Sequence, residues 1–182
     1  MYIKKLVIVI NGAGGVGKDT LCDYAHQRFL TQNISSIDPV KKIAREIGWN
    51  GEKTPEARRL LSDLKKIMTA YNDAPTKYLL EKYRQFIHSG DNILFCHIRE
   101  PEEIDKFKSK IHTSIATLLV ERDTGVKTWG NESDDDVTNY SYDFKFDNNA
   151  SLEESQAKFA ALMHKMLQSV PEIETMDFYS SK

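Results

Sequence analysis

The sequence predicts an α/β fold of three layers, a five-stranded parallel sheet covered by helices on both faces. Three observations predict it. Short apolar runs rich in β-branched residues alternate with longer stretches of helical periodicity. The 182 residues suit a single domain, 1–182, and no repeat, low-complexity tract or proline-rich linker divides them. Only 5 prolines and 9 glycines occur, and four of those glycines fall between residues 12 and 17. A glycine cluster at the end of the first strand places a ligand site at the carboxyl edge of the sheet.

Each element has a local reason. Residues 5–10 (KLVIVI) are a short apolar run stopped by Asn11-Gly12, which reads as a buried strand. Residues 18–31 carry Leu21, Tyr24, Ala25 and Phe29 at helical spacing. A second strand fits 34–37, ended by Asp38-Pro39, and a helix over 39–48 stops at Gly48 as a Schellman turn would. Thr54-Pro55-Glu56-Ala57 opens another helix, with a capping threonine and proline at the first helical position. A further helix runs from about Pro75 to Ser89. Residues 92–98 (NILFCHI) and 113–121 (TSIATLLVE) are the third and fourth strands, separated by a short amphipathic helix over 100–110. The stretch 122–142 is polar, acidic and aperiodic, and loops of that length in a compact domain are lids or binding segments. Phe144-Lys145-Phe146 is the fifth strand. Ser151, with Glu154 three residues on, forms a capping box for a last helix reaching Ser169. The tail over 171–182 is expected to fray.

Composition excludes several classes of function. Basic residues number 25 and acidic residues 27, a net charge of −2, which argues against a protein held to nucleic acid or anionic lipid by its overall charge. The isoelectric point is about 6.2 and the mean hydropathy −0.51. The longest apolar run, Leu6–Ile10, is far below the ~18 residues a membrane span needs. Two cysteines, Cys22 and Cys96, cannot make a disulfide scaffold and read as buried packing residues. The opening residues MYIKK lack the apolar stretch of a secretory signal, so a cytoplasmic location is expected. Neither a nucleic acid nor a membrane is expected as a partner. Oligomeric state is left open, a homodimer included.

Gly12-Ala13-Gly14-Gly15-Val16-Gly17-Lys18 satisfies G-x-x-x-x-G-K between a strand and a helix. Glycines let successive backbone N–H groups turn inward around phosphate oxygens, and the helix N-terminus adds its positive end. Lys18 then reaches the β- and γ-phosphates as a mobile point charge. The next position, where Ser or Thr usually holds Mg²⁺ by its hydroxyl, is Asp19, followed by Thr20. A carboxylate is a hard oxygen ligand and can serve Mg²⁺; it also suits the first turn of a helix as an acid.

Five downstream segments follow the loop in order: Asp38-Pro39-Val40-Lys41, Arg58-Arg59-Leu60-Leu61, Arg99, Asn131-Glu132-Ser133-Asp134, and the stretch Asp147 to Glu154 (DNNASLEE). With Gly17-Lys18-Asp19-Thr20 they resemble phage-type deoxynucleoside monophosphate kinases and, more distantly, animal-type phosphomevalonate kinases. The corresponding family patterns are GKD, DPLK, R-x-L-L, D-T-R, H-x-S-E and DNDGSLEE. The resemblance spans residue 5 to about 167 and implies a P-loop kinase fold. It implies ATP and Mg²⁺ as cofactors and a (deoxy)nucleoside monophosphate as acceptor, with 39–91 as a helical substrate-binding region and 122–142 as a lid. It also implies that Gly12 through Thr20 hold the nucleotide's phosphates, and that Asn148 and Ala150 lie against the adenine. His97 stands where the family has the aspartate of D-T-R, so Asp19 is left to supply the metal's carboxylate.

Other candidates follow from position. Arg99 sits at the carboxyl end of a strand, where a guanidinium can bridge acceptor and transferring phosphate; a salt bridge to Glu100, Glu102 or Glu103 is the competing reading. Arg122 ends the fourth strand and is either a transition-state arginine or a surface residue. Lys41, Arg45, Arg58 and Arg59 could gather around an acceptor phosphate or form solvated helix faces. His97 reads as a hydrogen-bonded structural histidine rather than a metal ligand, and Asp134-Asp135-Asp136 as a solvated acidic loop. Two other functions compete with a kinase. One is a nucleotide-hydrolysing switch, although no N-K-x-D guanine signature occurs; the other is a nucleotide-binding protein without catalysis.

Overall fold

Leu6–Asn11 is buried along its whole length because it is the central strand of the sheet. The computed structural model describes residues 2–125 and 136–174. In chain order the elements are β1 Tyr2–Lys4, β2 Leu6–Asn11, α1 Lys18–His26, β3 Thr31–Ser35, α2 Asp38–Glu46, α3 Pro55–Asn72, α4 Ala74–Ile87, β4 Ile93–His97, α5 Pro101–Lys108, β5 Ser114–Glu121, a 3-10 turn Asp136–Asn139, β6 Phe144–Asp147, α6 Leu152–Ser169 and β7 Glu172–Glu174. The five-stranded sheet has the order β3-β4-β2-β5-β6, and every pairing is parallel. Its register puts Asn11, Ser35, His97, Glu121 and Asp147 at one edge, the carboxyl edge expected to carry the site.

Alternation along β2 divides the core in two. Leu6, Ile8 and Ile10 pack with Leu21, Cys22 and Ala25 of α1 and with Phe159, Met163 and Met166 of α6. Val7 and Val9 face the other way, toward Leu79, Tyr83 and Phe86 of α4 and Ile104 and Phe107 of α5. Cys22 and Cys96 are both free and buried, as packing residues. Burial pushes both thiols well above their ordinary range, with Asp19 and Asp23 adding to the rise at Cys22.

The local signals that predicted helix ends act as expected. Thr54 Oγ1 accepts from Ala57 N at 3.2 Å and Ser151 Oγ accepts from Glu154 N at 3.3 Å. Gly48, at φ 102°, closes α2 with the paired bonds Gly48 N to Arg45 O and Trp49 N to Ala44 O. Asp73 joins α3 directly to α4 by taking the left-handed conformation, φ 58°.

Four expectations are corrected. Helix α1 stops at His26, and β3 begins at Thr31 rather than 34. As an edge strand, β3 exposes Asn33 and half-exposes Gln32, so its polar half hides the strand pattern. The frayed tail is partly wrong, because Glu172–Glu174 pairs antiparallel with Tyr2–Lys4 as a two-stranded sheet. The stretch 122–142 is not loop throughout, since Asp136–Asn139 forms a 3-10 turn. The Asn131-Glu132-Ser133-Asp134 segment, Asp135, most of the expected lid and residues 175–182 lie outside the described residues.

Adjacent lysines tie the N-terminal strand to helices on opposite faces. Lys4 Nζ donates to Leu167 O and Gln168 O at the end of α6. Lys5, only 1% exposed, donates to Phe86 O, Ser89 O and Asp91 O at 2.9, 2.7 and 2.7 Å, at and beyond the end of α4. A cation among the last carbonyls of a helix meets the negative end of its dipole.

Candidate active site

The segment after β2 must turn sharply to start α1, and its glycines carry that turn. Gly12, Gly15 and Gly17 have φ of 146°, 80° and 92°. At Gly12 a Cβ would stand 2.4 Å from Val120 O, and at Gly17 it would stand 2.6 Å from Asn148 Nδ2. Both positions therefore need glycine for space as well as for backbone angle. Lys18 begins α1 and folds its Nζ back onto the loop, donating to Gly12 O and to Ala13 O. Asp19 and Thr20 are exposed on the first turn, Ala13 and Gly14 are half-buried, and Val16 is buried in the core beneath the loop.

Two asparagines brace this loop. Asn11 Oδ1 accepts from Gly12 N at 2.8 Å at its start, and Asn148 Nδ2 donates to Val16 O at 2.7 Å near its end. Asn148 is itself held by the bond from its N–H to Glu121 O, 2.8 Å. Asn148 also lines a cleft with Gly17, Thr20, Leu21, Arg122, Ala150 and Leu152. The structure thus brings Asn148, Ala150 and Arg122 together beside the glycine loop. It also gives Asn148 a bracing role that the sequence did not suggest.

Across the sheet edge, His97 ends β4. Its Nε2 lies 2.7 Å from Asn33 Oδ1 and 4.0 Å from Cys22 Sγ, so the neutral ring carries its proton on Nε2. Burial is the main cause that lowers its pKa to about 4; Asp19 and Asp38 oppose it, and Lys18 and Lys41 add to it. A neutral, hydrogen-bonded imidazole therefore ends β4, as the sequence reading of His97 expected. Asp38, on the first turn of α2, accepts from Ser35 N at 2.8 Å and from Tyr78 OH at 3.4 Å.

The unfolded chain binds a proton on His97 below about pH 6.5, whereas the folded chain resists it down to about 4. Stability from this group is present above pH 6.5 and is lost as the pH falls toward 4. Melting temperatures measured at pH 7.5 and 5.0 should converge more closely in His97→Gln than in wild type. An unchanged pH slope would remove His97 as the source. Glu103 works in the opposite sense, so the comparison of the two proteins isolates the histidine.

Arg99 is exposed just past β4, and Asn11 Nδ2 donates to its carbonyl at 3.1 Å. Two of the acids that could have competed for it converge on Lys65 of α3, Glu100 at 2.5 Å and Glu103 at 2.8 Å. Burial pushes Glu103 up to about 7; Lys65 opposes the rise and Glu100 reinforces it. Burial also works against the charge on Glu100, but Lys65 outweighs it and holds that carboxyl below its usual range. The remaining basic candidates sit on two packed helices. Lys41 is half-buried and bears on His97, Arg45 lies exposed over the Trp49 ring at 5.5 Å, and Arg58 and Arg59 are exposed in the first two turns of α3.

Among the described residues, no group of three or more His, Cys, Asp or Glu side chains could hold a metal ion. No helix among them is long and apolar enough to cross a membrane.

No family model matches the sequence, and no curated protein matches it. Solved structures do. A candidate kinase from Chloroflexus aurantiacus is similar with a TM-score of 0.55 at 12% identity, covering 94% of this chain and 100% of that one. A gluconokinase from Sinorhizobium meliloti has a TM-score of 0.50 at 12% identity, covering 91% of this chain and 94% of that one. TT1252 from Thermus thermophilus has a TM-score of 0.50 at 16% identity, covering 90% and 98%. At such identities the likeness is one of fold, and the fold is that of the P-loop kinases.

Proposed function

We propose that this chain transfers the γ-phosphoryl group of ATP to a small phosphorylated acceptor, a (deoxy)nucleoside monophosphate in the first instance. The observation that carries the reading is the glycine loop between β2 and α1, with Lys18 Nζ folded over its carbonyls and a side cleft formed by Arg122, Asn148 and Ala150. In this reading Gly12 through Thr20 surround the phosphates and Lys18 exchanges loop carbonyls for phosphate oxygens. Asn148 and Ala150 border the base, and Arg122, which lines the same cleft, is the transition-state arginine of this reading. Arg99, at the carboxyl edge, meets the phosphate as it moves. Lys41, Arg45, Arg58 and Arg59 supply charge to the acceptor from α2 and α3. The fold, shared with the gluconokinase and the candidate kinase, supports small-molecule phosphoryl transfer; the resemblance of the DPVK, R-R-L-L and DNNASLEE segments supports the nucleotide acceptor.

The donor set fits Mg²⁺ held jointly with the nucleotide. Mg²⁺ usually takes one or two carboxylates, water and substrate phosphates rather than a cage of protein ligands. Asp19 is an exposed carboxylate on the first turn after Lys18, and His97 is neutral, so Asp19 is the carboxylate of this region assigned to the metal. The ion would neutralise charge on the phosphate oxygens. Without it, Asp19 repels the nucleotide. Asp19→Asn should therefore raise metal-free ATP affinity and lower the metal-supported rate, making the affinity less dependent on Mg²⁺. ATP titrations with and without Mg²⁺ on both proteins check this, and equal dependence would make Asp19 only a helix-start acid.

The nucleotide reading as a whole is tested by thermal shift. ATP·Mg²⁺ at 100 times its Kd should stabilise the chain by about 2.7 kcal/mol, or roughly 5–11 °C for a domain of this size. No shift at millimolar ATP would contradict it.

A further inference from the structure

Asn11 is a polar residue at the end of an otherwise apolar strand, and only 1% of it is exposed. Burying an amide is costly unless its polar groups find partners. Here they do, and the partners belong to three segments distant in sequence. Oδ1 accepts from Gly12 N at 2.8 Å. Nδ2 donates to Arg99 O at 3.1 Å and to Tyr142 OH at 2.8 Å. Tyr142 OH in turn donates to Val137 O at 2.8 Å, in the 3-10 turn.

The direction of every bond is determined. Gly12 N–H can only donate and the carbonyl of Arg99 can only accept, so the amide has a single orientation. Tyr142 must then accept from Nδ2, which leaves its own proton for Val137 O. One side chain thus joins the first peptide of the phosphate loop, the backbone of Arg99 and the chain that returns after residue 135.

We propose that Asn11 is a positioning residue that fixes the reach of Arg99 toward the phosphate held by the loop, with Tyr142 as the second support of the same amide. The proposal rests on the reading of this loop as the nucleotide site. Asn11 touches no reacting atom in it. It acts through the Arg99 carbonyl on one side and the Gly12 amide on the other. A ~1 Å displacement of a positioned group far from the chemistry can cost about 100-fold in rate, so a single amide can govern Arg99.

A cycle of Asn11→Ala, Arg99→Ala and the double variant tests this, with Tyr142→Phe as a milder change that spares Gly12. The first readout is the ratio of ATP to ADP affinity by calorimetry with Mg²⁺ and no acceptor, which reports on contacts to the terminal phosphate without turnover. Asn11→Ala should reduce the preference for ATP about tenfold, and Tyr142→Phe about threefold. In the Arg99→Ala background neither change should alter the ratio further. Losses that multiply in the double variants would overturn the proposal. So would a lower melting temperature with an unmoved ratio, which is the signature of a merely structural amide. If Asn11→Ala does not fold, Tyr142→Phe carries the same cycle. The second readout is kcat and KM with an acceptor. Asn11→Ala should lower kcat about 10- to 100-fold more than it raises acceptor KM. A wild type that binds ATP but turns over no acceptor contradicts the kinase reading alone, because the affinity ratio still decides the role of Asn11.

Discussion

Lys18→Ala should abolish phosphoryl transfer, a fall of about 1,000-fold or more, while the protein melts within a few degrees of wild type. The side chain is half-buried in the loop rather than in either core cluster, and its ammonium donates to the carbonyls of Gly12 and Ala13. Removing it takes away the one charge that the loop itself aims at the phosphates and leaves the glycine turn in place. Lys18→Arg should fare little better, because a bulky planar guanidinium does not fit a position suited to a compact point charge. Nucleotide-dependent product formation and a thermal melt on the same preparation check both halves. A variant that keeps more than a tenth of wild-type turnover would show that this loop is not where transfer occurs.

The largest effect on stability is expected at Lys5. Its three ammonium protons match three carbonyls, those of Phe86, Ser89 and Asp91, and the nitrogen lies 4.6 Å from the centroid of the Phe86 ring. Burial lowers its pKa and Asp91 opposes that, yet three acceptors on one nitrogen are all satisfied only by the ammonium form. Lys5→Met fills similar volume but strands all three carbonyls. At about 1 kcal/mol each the loss is roughly 3 kcal/mol, or a fall of about 6–12 °C in Tm. Lys4→Met is the control. Its bonds to Leu167 O and Gln168 O are longer, 3.1 and 3.3 Å, and the second is exposed, so about 1 kcal/mol or less is expected. Urea unfolding of both variants checks the contrast, and a Lys5→Met protein within 1 kcal/mol of wild type would refute it.

What the sequence revealed, it revealed through residues with few alternative uses. Gly12 and Gly17 fill positions where any Cβ would collide, and β2 carries an apolar residue at every position from Leu6 to Ile10 because both its faces are covered. Thr54, Ser151 and Gly48 are helix punctuation whose mechanism is local, and all three act as predicted. Long-range roles were illegible. Thr31, Gln32 and Asn33 look like loop because an edge strand needs little apolar character. Lys5 reads only as the first residue of a buried strand, and its carbonyl partners appear once the end of α4 is folded over it. Nothing in the chain near Asn11 indicates that Arg99 and Tyr142 will meet it, 88 and 131 residues away. Asn148 was visible through its motif, but its bond to Val16 O was not. Among the basic candidates, residue type gave the chemistry and only tertiary packing could give direction, as Arg45 over Trp49 shows.

Under the proposed function, the loop from Gly12 to Lys18 moves the terminal phosphoryl group of ATP to a small acceptor rather than to water. ATP carrying ¹⁸O in its γ-phosphoryl oxygens, incubated with the protein, Mg²⁺ and each nucleoside monophosphate in turn, tests it by ³¹P NMR. In transfer, an acceptor phosphate oxygen bonds to the γ-phosphorus as the bond to the bridging oxygen breaks and ADP leaves. The label should appear in the β-phosphate of a new nucleoside diphosphate, at a rate set by which monophosphate is present and lost in Lys18→Ala. Label recovered only as inorganic phosphate, at a rate indifferent to the acceptor, would contradict it and identify a nucleotide hydrolase instead.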